Sequence, residues 1–144
     1  MHDPTVIHTD LELFLTRWYR ARLSQRPEPV CRDVQVDTWE SWKPGGPYPR
    51  RLLLIRDDSG PTTSILTADR TVGLSVLAGS PENPKDAVDL AAIVHALRTE
   101  IPSTDPDNPV SAVRGAFGPH SVTETQPRAR RYMTFTLSVV GKAL

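Results

Sequence analysis

The sequence predicts an α+β fold: two helices packed on a mostly antiparallel or mixed sheet of about five strands, in a single domain spanning residues 1–144. Three observations lead there. Two segments carry apolar residues at the three- and four-residue spacing of a helix face. Several shorter runs alternate, or are continuously apolar, between turn residues, as strands do. Most of those runs follow one another through short turns, which favours antiparallel pairing, while one helix lies between strands and permits a single crossover.

Taken in order, residues 1–9 read as an irregular lead-in, with Asp3-Pro4 and His8. Thr9 or Asp10 is placed to cap a first helix over 11–24, whose apolar stripe is Leu11, Phe14, Leu15, Trp18 and Ala21. Arg26-Pro27-Glu28-Pro29 ends it, because each proline holds the preceding residue extended. Residues 30–40 then alternate, with Val34 and Val36 on the core side and Asp33, Gln35, Asp37 and Trp39 opposite. The stretch 41–50 is rich in proline and glycine and excludes a regular element. It carries Trp42 and Tyr48, so it either folds back on the core or projects to meet a partner; projection is the reading adopted.

Arg51–Arg56 is a short apolar run, read as a buried strand. Residues 62–67 resume β-like composition, Ala68-Asp69-Arg70 reads as a break, and 71–78 as a further strand. The clearest helix follows over 83–101: Ala87, Leu90, Ala91, Val94, Leu97 and Ile101 share one face. Asn83 is placed to cap it, Pro84 suits its first position, and Pro102 stops it. His95 falls on its polar side. Val110–Phe117 reads as a strand broken by Gly115 and Gly118-Pro119, and 131–140 as the last, with Met133, Phe135, Leu137 and Val139 opposite Tyr132, Thr134, Thr136 and Ser138.

Charge is balanced, at 17 basic and 17 acidic residues, which gives no support to general nucleic-acid binding. Its distribution is uneven. Residues 51–109 hold nine acids against five bases, and 110–144 hold five bases against one acid, so head-to-tail contacts between copies would be complementary. Fourteen arginines against three lysines suggest a GC-rich genome. The single cysteine, Cys31, excludes an internal disulfide and a cysteine-based zinc site. No apolar run reaches the ~20 residues of a membrane span, and the first residues lack the pattern of a signal peptide. The expectation is a soluble protein made in a cytoplasm.

The sequence carries no recognisable catalytic, cofactor-binding or metal-binding set. The four histidines (His2, His8, His95, His120) have no close carboxylate or histidine spacing of the metalloprotease kind. There is no G-x-S-x-G elbow, and Cys31 reads as a small filler beside a strand. Gly115-Ala116-Phe117-Gly118 is too short for a dinucleotide fingerprint. What remains are two arginine clusters at strand entries, Arg50-Arg51 and Arg128-Ala129-Arg130-Arg131, suited either to bidentate pairing with carboxylates of another subunit or to protecting strand ends. With Trp42 and Tyr48, the residues Arg50, Arg51, Arg128, Arg130 and Arg131 form the candidate subunit or partner interface.

The layout resembles a family. An amphipathic first helix, a proline-rich loop, the segment Val72-Gly73-Leu74-Ser75-Val76-Leu77-Ala78-Gly79, a helix of the type Asp86-Ala87-Val88-Asp89-Leu90-Ala91, and a last block from Val113-Arg114-Gly115-Ala116-Phe117-Gly118-Pro119 to 131–139 are similar to tail terminator proteins of long-tailed bacteriophages. The likeness covers roughly residues 9–140 and is one of order and texture, without an invariant signature. It implies a non-enzymatic virion protein: a homo-hexameric ring that caps the tail tube at its completed length. By the same resemblance, the ring would join the tube protein to the head-tail connector or head-closure protein and pass DNA through its lumen. It would be assembled in the host cytoplasm and have no membrane partner. The alternatives are another head-tail adaptor, such as a head-closure or tail-completion protein, and a small enzyme or ligand-binding module with a site near Arg114 and His120.

Overall fold

The computed structural model describes residues 4–40, 43–123 and 125–144. It is an α+β domain with a five-stranded mixed sheet packed against two helices. Helix α1 (Leu11–Ser24) opens on Asp10, whose carboxylate accepts from the Leu13 amide at 3.0 Å. Its fully buried side is Leu11, Leu15, Thr16, Tyr19 and Leu23, with Phe14 and Trp18 only partly covered and Ala21 exposed. The stripe is thus rotated toward Tyr19 from the predicted one, because a second helix, and not only the sheet, covers it. The Tyr19 hydroxyl donates to the Val94 carbonyl at 2.9 Å. Burial pushes that phenol far above its usual range, so it stays a proton donor.

Strand β2 (Val34–Asp37) is shorter than its alternation predicts. Pro29–Cys31 forms a turn of 3₁₀ helix, and Asp33 adopts a left-handed φ of 55° that resets the chain before extension begins. Strand β3 (Arg51–Asp57) is the predicted apolar run, and β4 (Thr67–Ala78) runs unbroken through Ala68-Asp69-Arg70. Pairing overrides composition there: Ala68 is opposite Val139, Asp69 opposite Ser138 and Arg70 opposite Leu137 of β6 (Ala129–Val140).

Helix α2 (Lys85–Leu97) buries Ala87, Leu90, Ala91, Val94 and Leu97, as its spacing predicts. Its start differs. No side chain caps it, and Ser80 and Asn83 instead close the preceding turn by exchanging backbone bonds of 3.1 Å. The helix tightens into a 3₁₀ turn at Arg98–Glu100, which still delivers Ile101 to the core. Strand β5 (Val110–Val122) continues past Gly118-Pro119 and absorbs the irregular residues as three register shifts against β6. Val6–Ile7 (β1), expected as irregular, pairs with Lys142–Ala143 (β7) in a two-stranded clasp.

The sheet order is β2-β3-β4-β6-β5, and every neighbour is antiparallel except β2 and β3, which are parallel. A parallel pair needs a crossover. Segment 38–50 supplies it; its described residues hold no helix and cross the sheet on the side away from the helices. Both helices lie on the other face, over Leu53, Ile55, Val72, Leu74, Met133 and Phe135.

Candidate functional site

The helix-free face has its own organisation. Successive residues of a strand alternate sides, so Leu52, Leu54, Gly73, Ser75, Leu77, Arg130 and Tyr132 share this face. Leu52, Leu54 and Leu77 form a small buried cluster of their own. Gly73 has a steric role: a Cβ there would stand 2.6 Å from the Tyr132 hydroxyl, so only glycine lets that ring lie across β4.

One end of the face is closed by an ionic knot. Arg128 is 2% exposed, and its guanidinium donates to Gln126 Oε1 at 2.7 Å, to the Pro49 carbonyl at 2.8 Å and to Glu40 Oε1 at 3.2 Å. Arg130 takes the other Glu40 oxygen at 2.7 Å, and the Gln126 amide also donates to Glu40. The Tyr48 ring lies under the Arg128 guanidinium, 4.8 Å from its centre. A buried guanidinium is tolerated because its donors are met in several directions.

This arrangement corrects the reading of the 41–50 loop as projecting at its Tyr48-Pro49 end, while Lys43, Pro44 and Gly45 are exposed. Trp42 lies outside the described residues, but Tyr48 and Pro49 are folded back onto Arg128. Of the predicted interface residues, Arg128 and Arg130 serve this internal knot. Arg51 is committed inside the chain as well: it pairs with Asp86 at 3.2 Å and donates to the Arg32 carbonyl at 3.0 Å, tying β3 to the start of α2. Arg131 donates to the Arg130 carbonyl. Arg50 stands exposed.

Beside the knot runs a trough of about 660 Å³, lined by Thr38, Trp39, Leu54, Arg56, Ser75 and Tyr132 among others. Trp39 is 69% exposed at its wall. The alternation of residues 30–40 places Trp39 on the side away from the core but gives it no role, and nothing in the sequence marks Glu40 or Gln126. A lone acid beside a tryptophan carries no local sign that it meets Arg128, 88 residues on.

Among the described residues, the remaining titratable groups do not converge. Arg114 and His120 are both exposed on β5, with Arg114 3.7 Å from Asp69 and the His120 ring edge-on to Tyr132 at 5.8 Å. His95, expected on the polar side of α2, is half-buried against Phe135, and burial together with Arg98 lowers its pKa. Cys31 is buried, which raises its thiol and disfavours the thiolate. Among the described residues no group of three or more His, Cys, Asp or Glu is placed to hold a metal ion, and no helix is long and apolar enough to cross a membrane. No protein-family model matches the chain, and no curated protein matches it.

Proposed function

We propose that this chain is a structural virion protein of the tail-terminator type, a ring-forming subunit that ends the tail tube and joins it to the head-tail connector. The observation that carries the reading is the distribution of work between surfaces. The helices brace one face of the sheet with a continuous apolar core, while the other face and both sheet edges carry exposed aromatic residues, Trp39 and Phe117. Such a body suits assembly through its surfaces, and among the described residues its side-chain chemistry is spent on internal ties and not on a convergent reactive set. The order of elements that resembles tail terminators supplies the specific role. Balanced overall charge suits a conduit that does not grip DNA tightly.

Purified protein is expected to form rings, or to assemble into them on tube ends, and its loss to leave tails of abnormal length without heads. Tails of normal length, joined to heads in its absence, overturn the reading. A particle reconstruction separates the terminator from another head-tail adaptor by the position of the ring. The trough beside Trp39 favours a second reading, a ligand-binding module, since a concave site with apolar walls and an exposed indole suits flat ligands; its arginines, Arg56 and Arg130, already pair with Asp58 and Glu40. Quenching of tryptophan fluorescence by such ligands, abolished in Trp39→Ala, would support it.

A further inference from the structure

We infer that the two edges of the sheet are the halves of a single head-to-tail contact, with β5 of one copy docking against the β2 and α1 edge of a second copy of this chain. The inference rests on the ring reading above and names the surface that would build the ring.

Strand register places the edges level with each other. Asp37 is opposite Leu54, Leu54 opposite Ser75, Ser75 opposite Tyr132, and Tyr132 opposite His120, so Asp37 and His120 end one row across the sheet. A second row runs from Phe117 through Thr134 and Gly73 to Arg56, where Trp39 shares the wall of the trough. A third begins at Arg114, which is bulged out between Val113 opposite Leu137 and Gly115 opposite Thr136, and passes to Thr71, whose carbonyl accepts from the Asp58 amide. Glu12 sits beside it, accepting from the Asp57 amide at 2.8 Å.

Each row therefore ends in complementary groups: an imidazole and a carboxylate, two exposed aromatic rings, and a guanidinium and carboxylates. In the contact the largely exposed Arg114 exchanges Asp69, 3.7 Å away in its own chain, for Asp58 of the second copy, which in the single chain lies 3.5 Å from the exposed Arg56. Strand β5 contains no acid. The opposite edge carries Asp10, Glu12 and Asp37 around a niche of about 280 Å³ that also takes in Thr16, a buried residue whose hydroxyl has no partner. Of the arginines near that edge, Arg20 and Arg56 are held by the Val36 carbonyl at 2.8 Å and by Asp58 at 3.5 Å, while Arg17, four residues after Leu13 on α1, is exposed. Two copies repeated side by side place β5 antiparallel to β2 with the helices on the same face, which is a heterologous contact able to close into a ring.

An added peptide strand fits less well. Arg20 already occupies the Val36 carbonyl, and three register shifts interrupt the amide row of β5. The contact is made by side chains.

The test is sedimentation of the full chain with single edge variants, each checked for unchanged circular dichroism and melting. Arg114→Glu and Asp58→Arg are each expected to weaken self-association, and Phe117→Ala to weaken it roughly tenfold or more. Mixing Arg114→Glu with Asp58→Arg is expected to restore assembly, because the two reversed edges face each other. Wild-type assembly in all three variants, a mixture that stays dissociated, or a wild-type chain that remains monomeric at high concentration overturns the contact. Rings that form normally in the variants leave the terminator reading standing without this contact. Normal tails joined to heads in the absence of the protein, while the edge variants still block self-association, overturn the terminator reading alone.

Discussion

The two faces of the sheet are held by different physics. Against the helices, Leu53, Ile55, Leu74, Phe135 and their neighbours are removed from water and pack without direction, so stability there follows apolar area. On the other face, closure depends on Glu40 meeting Arg128 and Arg130 at hydrogen-bonding distance and on Tyr48 lying under a guanidinium. The first arrangement tolerates exchange of one hydrocarbon for another of similar volume. The second fails when one partner is removed, because the other is left charged and partly desolvated. The apolar face thus makes the domain stable, and the polar face fixes where Glu40, Tyr48 and Pro49 of the crossover lie.

The largest expected effect is on the apolar face. Leu90→Asp places an unpaired carboxylate at a fully buried position of α2 and is expected to cost more than about 4 kcal/mol, seen as loss of the folded circular dichroism signal. Soluble, folded Leu90→Asp protein defective only in assembly would instead put that face at a subunit boundary. On the polar face, Arg128→Met is expected to cost about 3 kcal/mol by urea unfolding, with part of the loss recovered when Glu40→Gln is added. Equal loss in the single and double variants would mean that the guanidinium acts through packing and not through charge.

Tyr19→Phe, which keeps the ring but orphans the Val94 carbonyl, is expected to cost about 1 kcal/mol. His95 sharpens the same contrast through pH. Its folded-state pKa lies below the ordinary value of 6.5, because burial and Arg98 disfavour the imidazolium. The unfolded chain therefore binds the proton more readily. The contribution is fully present above pH 6.5 and is lost as pH falls below it, and His95→Gln should flatten that limb of the stability profile. Smallest of all, Trp39→Ala is expected to shift stability by no more than about 0.5 kcal/mol, since its ring is mostly in water. A larger loss would show that Trp39 holds the crossover down.

The sequence by itself determined the local elements. Both helices, the apolar run of β3 and the inward set of β6 were legible because periodicity, capping and turn chemistry act over a few residues, and burial of one face leaves its mark directly in the pattern. A cap at Thr9 or Asp10, taken by Asp10, and Leu90, Val94 and Leu97 as the packed stripe of α2 are of this kind. Only the tertiary structure decided what joins distant positions. It made β2 and β3 parallel, carried β4 through Ala68-Asp69-Arg70 by pairing with β6, folded Tyr48 back, and turned Arg51, Arg128 and Arg130 from surface groups into internal ties. The reason is range. An arginine at a strand entry looks alike in sequence whether its carboxylate lies on another copy or 88 residues away in the same chain, and only strand order decides which acid it meets.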